Sequence, residues 1–234
     1  MTKSKVCAVV GVGIGNGAAL ARRFAQDGYA VALLARSDTV TGELERELPG
    51  AKAFTCDVSR AGDISRAFAE IREQLGEVDV LVFNAGSGVF ATFDEVTADD
   101  LEQGFRANAL GLFHVAKEVV PAMREDGAGA IIVIGATASR RGVPRTIAFA
   151  PAKAAQRSLC ESLARQLGPD GIHVALIVID GVVDLPRTRE WLKDKPDAFF
   201  VQPSGVAELA SVLVKQDRSA WTFEAEVRPF GESW

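Results

Sequence analysis

Short apolar runs alternate with longer amphipathic stretches along this chain of 234 residues. The runs are rich in β-branched residues, which is typical of strands buried on both faces of a parallel sheet. The pattern predicts seven strands: Val6 to Val10, Ala30 to Ala35, Ala51 to Thr55, Val78 to Phe83, Ala130 to Ile134, His173 to Ile179 and Trp221 to Val227.

The stretches between these runs repeat apolar residues every three or four positions, which predicts helices. The clearest are Ala18 to Asp27, Asp63 to Leu75, Leu101 to Met123 and Ala152 to Leu167. Strands that alternate with helices predict an α/β fold, with helices packed on both faces of a parallel sheet. We therefore expect one Rossmann-like, doubly wound, three-layer domain over residues 1–234, with ligands at the carboxyl edge of the strands.

One stretch, residues 183–203, breaks this rhythm just after the sixth predicted strand. It contains Pro186, Pro196 and Pro203, and it carries the aromatic residues Trp191 and Phe199. We expect an irregular flap that covers a ligand, the alternative being an ordinary surface connection.

Composition narrows the classes of function. Apolar residues make up 48% of the chain, enough for a large core, yet no run approaches the roughly 18 residues that span a bilayer. The net charge of −5 and the lack of a basic run argue against nucleic acid. Cys7, Cys56 and Cys160 lie far apart without metal-ligand spacing, so we expect buried free thiols and no metal. The first apolar run is too short for a signal peptide, so we expect a cytoplasmic location.

A glycine-rich turn follows the first predicted strand and leads into the first predicted helix. Such a turn lets the backbone approach a pyrophosphate and directs the N–H groups of the helix start at its charge. Two registers fit: Gly11, Gly15 and Gly17 match G-x-x-x-G-x-G, and Gly13, Gly15 and Ala18 match G-x-G-x-x-A. Either register predicts a dinucleotide site.

The end of the second predicted strand indicates which dinucleotide. Ala35 stands where an acidic residue would bind the ribose hydroxyls of NAD, and Arg36 follows it. A guanidinium makes paired bonds to a 2′-phosphate, so we expect NADP(H) rather than NAD(H), unless Arg36 is a plain surface residue. Asp57, after the third predicted strand, either accepts a bond from the adenine amine or caps the helix that begins near Ser59.

These features occur in the order found in the short-chain dehydrogenase/reductase family, which the whole chain resembles. The glycine turn is similar to the family's TGxxxGxG motif, although Val10 replaces its threonine. The resemblance implies roles in cofactor binding for Asp57 and for the segment Asn84 to Gly86, and a role in a water-mediated proton relay for Asn108.

The resemblance also implies a serine and a Tyr-x-x-x-Lys motif at the active site. Lys153 matches the lysine, which in the family binds the nicotinamide ribose. Phe149 stands at the tyrosine position and Ala136, thirteen positions earlier, at the serine position, so both hydroxyls are missing. Thr137 should point away from the face of residue 136, because strand side chains alternate, and Ser139 lies beyond the strand end. Both hydroxyls are weaker candidates as substitutes than as partners of local backbone.

Another departure follows the sixth predicted strand. Gly181 is retained from the family's Pro-Gly pair and is expected near the cofactor, whereas Asp180 and Leu185 depart from the pattern. A carboxyl at this edge could have a raised pKa and act as an acid, or it could be a turn residue that binds backbone N–H groups. His114 is expected to be a core histidine and His173 to be structural.

Two functions fit this sequence. The first is an NADP-dependent oxidoreductase of the short-chain type that acts on a small molecule and delivers its proton in an unusual way. The alternative is a catalytically silent dinucleotide-binding sensor or partner subunit. The resemblance also implies a homodimer or homotetramer, built on the helices Leu101 to Met123 and Phe149 to Leu167.

Overall fold

The computed structural model describes residues 4–231. Its main feature is a seven-stranded, fully parallel sheet in the order β3-β2-β1-β4-β5-β6-β9. The strands are β1 Val6–Val10, β2 Ala30–Ala35, β3 Lys52–Thr55, β4 Val80–Phe83, β5 Gly129–Ala136, β6 Ile172–Ile179 and β9 Glu224–Val227. The order reverses between β1 and β4, and this reversal marks where ligands bind in open α/β sheets. The predicted fold is confirmed.

Eight α-helices connect these strands in the described part of the chain. They are α1 Asn16–Gln26, α2 Asp38–Glu47, α3 Ala61–Gln74, α4 Ala98–Phe105, α5 Gly111–Glu125, α6 Phe149–Leu167, α7 Pro186–Trp191 and α8 Pro203–Val214. The predicted helices among them begin and end within about three residues of their expected bounds, as is usual for helix ends. The apolar pattern did not predict α2 or α8.

Two apolar layers sandwich the sheet, because successive strand side chains point to opposite faces. Ala8 and Val10 of β1 join the layer that contains Phe68 of α3 and Val115 of α5. Cys7 and Val9 join the opposite layer, which contains Phe24 of α1 and residues of α8. All eight residues of β6 are buried, as expected for a strand covered on both faces.

The prediction of one continuous α-helix over Leu101 to Met123 is wrong. A π-helical turn, Arg106–Leu110, separates α4 from α5. Such a turn places an extra residue in the helix, and it is frequently found at functional sites. Asn108 lies at its centre.

The segment expected to be irregular also contains regular structure. Between residues 183 and 203 lie α7, a 3₁₀ turn at Asp197–Phe199 and the two-residue strand β8 Phe200–Val201. That strand pairs in parallel with β7 Val182–Val183. Its expected role as a flap stays a prediction. In the described residues, no helix combines the length and apolar character needed to cross a membrane.

Candidate functional site

The glycine turn between β1 and α1 contains two positions that cannot accept a side chain. Gly11 has φ +90°, and a Cβ there would lie 2.5 Å from the backbone of Ala85. A Cβ on Gly17 would lie 2.7 Å from Cα of Val12. Gly13 has no atom within 4 Å of the corresponding position. Packing within the protein therefore requires glycine at residues 11 and 17, which belong to the G-x-x-x-G-x-G register. No protein atom lies where a side chain of residue 13 would start.

Gly15, the third glycine of that register, faces the segment that follows β6. A Cβ on Gly15 would lie 2.4 Å from Cδ2 of Leu185. The backbone N–H of Leu185 donates to Oγ1 of Thr188 at 3.0 Å, which starts α7. Arg189 binds both carboxylate oxygens of Asp184 and lowers the pKa of that carboxyl to about 2. Ion pairs of Arg189 therefore stabilise the segment after β6 internally, and the side chain of Leu185 contacts the glycine turn.

A cleft of about 610 Å³ opens beside this turn, at the carboxyl ends of β1, β2, β3 and β4. Arg36, Arg60 and Arg106 line it with their positive charges, and Asp57 supplies a carboxylate. The surplus of cations suits an anionic ligand. The remaining lining comes mainly from the glycine turn and from the loop after β4.

Asp57 does not cap the helix that follows it. Its Oδ1 accepts bonds from the backbone N–H and the hydroxyl of Ser59 at 2.9 and 2.7 Å, while α3 begins only at Ala61. Partial burial would raise the pKa of Asp57, but the bonds from Ser59 and the charge of Arg36 lower it. The cap interpretation is wrong, because the Asp57 side chain closes a local turn two residues before the helix.

The loop after β4 connects the glycine turn to the far side of the cleft. Asn84 donates from Nδ2 to the carbonyl of Gly11 at 2.7 Å, which braces the turn. Two residues later, a Cβ on Gly86 would lie 3.0 Å from Oδ1 of Asn108 and 3.3 Å from Nζ of Lys153. A side chain at residue 86 would therefore press on both polar atoms, which lie directly against this glycine.

Asn108 is fully buried in the π-helical turn. Its Nδ2 donates to the carbonyls of Ser87 at 2.6 Å and Gly104 at 2.8 Å. Its Oδ1 is buried and has no hydrogen-bond partner among the described residues. An unpaired buried acceptor costs about 1–3 kcal/mol, so this oxygen destabilises the folded protein by that amount.

Lys153 of α6 reaches the same space and is 5% exposed. Its Nζ donates to the carbonyl of Ile134 at 3.1 Å and to Oε1 of Gln156 at 2.9 Å. Burial lowers the pKa of Lys153 to about 8, because the charged form loses its hydration. Gln156 connects Lys153 to Asn108, because its Nε2 donates to the backbone carbonyl of Asn108 at 3.2 Å.

The residues expected to form the reacting side of the site are apolar. Phe149, on the first turn of α6, is half-buried, and its ring centre lies 4.8 Å from that of Phe90. A Cβ on Gly88 would lie 2.3 Å from the ring of Phe149. Ala136 is the last residue of β5 and pairs with Ile179 of β6. The ring of Phe149 is therefore in close contact with Gly88 and Phe90. Neither Phe149 nor Ala136 has a hydroxyl that could donate a proton.

The two hydroxyls near Ala136 have different surroundings. Thr137 donates from Oγ1 to the carbonyl of Ile179 at 3.1 Å and also binds the carboxylate of Asp180, so its partners lie across the sheet edge and not in local backbone. Ser139 is buried, and its Oγ has no partner in the described part of the chain.

Asp180 does not have the raised pKa expected of an acid. Its burial would raise the pKa, but the bond from Thr137 and the charges of Arg228 and Arg141 lower it. Arg228 binds Oδ2 of Asp180 directly, and Arg141 lies 3.7 Å from Oδ1. The turn interpretation fails as well, since the carboxylate binds a hydroxyl and guanidinium groups and, among the described residues, no backbone N–H. Asp180 is an ion-paired carboxylate beside Gly181.

Several other expectations fall outside the cleft. All three cysteines are free and buried, as predicted. His173 is structural: it is buried, bonds the carbonyl of Thr222 at 2.8 Å and stacks on Trp221. The expectation for His114 is wrong, because its side chain is only half-buried, beside Phe113 on the outer side of α5.

Sequence reasoning missed Gln156 and Phe90. A signal for Gln156 was present, because positions 149, 153, 156 and 160 follow the spacing of one helix face. That face carries Lys153 and is buried, so a polar residue on it needs a partner inside the protein. Phe90 gave no such signal, because its contact with Phe149 joins two distant parts of the chain.

Comparisons with known proteins agree with this geometry. The family model described as short chain dehydrogenase matches residues 5–196. D-xylose 1-dehydrogenase of Caulobacter vibrioides is 32% identical over 233 residues, covering 94% of this chain and 92% of the relative.

Two solved structures are also similar. A variant of actinorhodin polyketide ketoreductase with NADPH has 28% identity and a TM-score of 0.88, covering 97% of this chain and 96% of that one. An alcohol dehydrogenase from the archaeon Thermococcus sibiricus, complexed with 5-hydroxy-NADP, has 26% identity and a TM-score of 0.85, covering 99% of each chain. The chain belongs to the short-chain dehydrogenase family.

Proposed function

We propose that this protein binds NADP(H) and transfers hydride between the nicotinamide and a small organic substrate, without a side-chain hydroxyl at residue 136 or 149. One observation carries the proposal: Nζ of Lys153, which has three N–H donors and two protein acceptors, lies 3.3 Å from the position that a Cβ on Gly86 would take. Its third N–H is suited to a hydroxyl of a ribose that lies against Gly86. The glycine turn is braced by Asn84, two residues before Gly86.

The residues present also fit the other half of a dinucleotide. The close approach at Gly11 and Gly17 brings the start of α1 next to the open cleft, where N–H groups favour a pyrophosphate. Arg36 lines that cleft with an exposed guanidinium, which suits a 2′-phosphate. The ketoreductase and the alcohol dehydrogenase named above carry NADPH and an NADP analogue, and we extend that preference to this chain.

The reacting side determines which chemistry is favourable. A bound nicotinamide supplies the hydride, while Lys153 orients the ribose. Phe149 offers an apolar surface and no proton, so reduction of a ketone would lack the acid that contributes about 10²- to 10⁴-fold. Hydride addition to an activated alkene suits this surface better, because the resulting carbanion is stabilised within the substrate and takes its proton from water rather than from residue 149.

The test measures binding first and turnover second. We expect NADPH fluorescence to report saturable binding, and NADPH consumption to occur with an activated alkene in preference to simple ketones. Lys153→Ala should reduce consumption, whereas Lys117→Ala, at an exposed position of α5, should not. Equal rates for wild type and Lys153→Ala across the panel would show that the Lys153 site is not the reacting site.

A second candidate, a silent dinucleotide-binding sensor or partner subunit, is favoured by one contact. Phe149 packs against Gly88 and Phe90 and so occupies space where a substrate would approach. A protein that binds NADPH tightly but consumes it with no member of the panel would support this candidate.

We also propose that the protein forms a homodimer or homotetramer. Phe105 and Phe113, on α4 and α5, expose 44% and 40% of their surface, and paired apolar side chains on neighbouring helices suit contact between copies. Light scattering after size exclusion measures the number of subunits, and a monomer at high concentration would contradict this proposal.

A further inference from the structure

Gln156 is a polar side chain in the interior of the protein that the proposed function does not use. It is 0% exposed and lies three residues after Lys153 on the buried face of α6. A buried amide destabilises a protein unless its polar atoms are paired. Both ends of this amide have partners: Oε1 accepts from Nζ of Lys153, and Nε2 donates to the backbone carbonyl of Asn108.

This amide determines which directions remain open to the amine of Lys153. A lysine ammonium has three N–H donors and no acceptor. Two of them are engaged, one by the carbonyl of Ile134 and one by Oε1 of Gln156. The Nζ atom lies 3.3 Å from the position that a Cβ on Gly86 would take. One donor is therefore left for a group in the space above Gly86.

The other end of the amide holds Asn108. The bond from Nε2 attaches the π-helical turn to α6 through the carbonyl of Asn108. The side chain of Asn108 is fixed separately by the carbonyls of Ser87 and Gly104, so its Oδ1 faces Gly86. Gln156 thus ties the Lys153 amine on α6 to the backbone of the π-helical turn.

We propose that Gln156 is a positioning residue that holds the Lys153 amine where its remaining N–H can donate to a hydroxyl of the nicotinamide ribose. This inference rests on the proposed function. Two N–H groups of the amine bind Ile134 and Gln156, and the third can donate to a ribose hydroxyl beside Gly86. An apolar side chain at residue 156 would leave the amine with one protein acceptor and the Asn108 carbonyl without its donor.

The first experiment compares two ligands that differ in the part Gln156 affects. NADPH contains the nicotinamide ribose, whereas 2′,5′-ADP contains only the adenosine half with its 2′-phosphate. We expect Gln156→Leu to weaken NADPH about ten-fold, the effect of roughly one lost hydrogen bond, and to leave 2′,5′-ADP unchanged. Leu167→Ala, a buried change at the far end of the same helix, should alter neither affinity.

The outcomes separate this inference from the function on which it rests. Unchanged NADPH affinity in Gln156→Leu, or equal weakening of both ligands, overturns the positioning role and leaves NADPH binding by the wild type intact. Failure of the wild type to bind either ligand overturns the proposed function and this inference together.

A second variant keeps the test valid if Gln156→Leu does not fold. Gln156→Glu retains an acceptor for Lys153 and adds a negative charge beside it, which favours the ammonium form. We expect the ε-methylene NMR signals of Lys153 to titrate at a higher pH in Gln156→Glu than in wild type. An unchanged titration midpoint would show that residue 156 does not contact the amine and would overturn the proposal.

Discussion

The two sides of the proposed site differ in the groups they offer to a ligand. The proposed cofactor side, which comprises the glycine turn, Arg36 and Asp57, is polar and open. The proposed reacting side, which comprises Ala136, Phe149 and Phe90, is apolar. Under the proposed function, the fold keeps groups suited to a dinucleotide while residues 136 and 149 offer no proton. Each variant described next alters one side of the site. The measurement shows whether activity, stability or cofactor affinity changes as a result.

The largest effect is expected on the reacting side. The double change Phe149→Tyr with Ala136→Ser places hydroxyls on α6 and at the end of β5, next to Lys153. We expect carbonyl reduction to rise by about 10²- to 10⁴-fold, the usual contribution of a positioned acid. The measurement is NADPH consumption with a set of ketones. Two single variants serve as controls, and no gain from the double variant would mean that more than the hydroxyls is missing.

The buried amine of Lys153 should appear in the pH dependence of stability. Its pKa of about 8 lies below the ordinary lysine value of about 10.4, so the unfolded chain binds more protons between these values. The lysine's contribution to stability therefore rises with pH from about 8 and levels off near 10.4. Between pH 7.5 and 9.5, wild type should gain about 2 kcal/mol relative to Lys153→Met.

Urea unfolding of both proteins across that range measures this difference. Taking the difference removes the effect of the buried thiols, whose pKa values burial raises. A constant difference from pH 7.5 to 9.5 would show that Lys153 is well hydrated, contrary to the buried position described above.

The glycine turn allows a matched pair on the cofactor side. Gly17→Ala forces a Cβ against the backbone of Val12 and should cost about 1–3 kcal/mol of stability together with NADPH affinity. Gly13→Ala meets no protein atom and should leave stability unchanged. Thermal unfolding and NADPH titration of both variants test this. If Gly13→Ala loses affinity at full stability, the pyrophosphate approaches Gly13 directly.

The smallest effect is expected at Arg36, because its side chain is exposed. Arg36→Ala should weaken NADPH about ten-fold, equal to one charge-assisted hydrogen bond near its lower limit, and leave NADH unchanged. Titration with both cofactors gives the ratio, and Arg46→Ala, on α2, is a control of the same charge. A loss shared by NADPH and NADH would assign Arg36 to something other than the 2′-phosphate.

Local chemistry explains what could be predicted from the sequence. A strand such as β6 is buried along its whole length and so shows as an unbroken apolar run. The glycine turn could also be predicted from the sequence. Gly17 is required by a backbone contact with nearby Val12, and Gly11 by a contact with Ala85 just after β4. In contrast, only two residues of α2, Thr41 and Leu44, are buried, so its apolar period is too weak to indicate a helix.

The missed features depend on contacts between distant segments. The break at Arg106–Leu110 has no proline inside it, so nothing local marked the extra residue. The lowered pKa of Asp180 depends on Arg228, 48 positions away. The aromatic contact of Phe149 depends on Phe90, in the loop after β4. The cytoplasmic location and the flap stay predictions.

The contact between Leu185 and Gly15 has a mechanical consequence. Any ligand group that approaches the Gly15 backbone as closely as a Cβ would overlap the leucine methyl, 2.4 Å away. Entry of such a group must push Leu185 outward, and α7 begins at the next residue. Trp191, at the end of α7, is 68% exposed beside Arg187. A shift of Leu185 that carried α7 with it would change the surroundings of this exposed indole, and tryptophan fluorescence would then report the loading of the glycine turn.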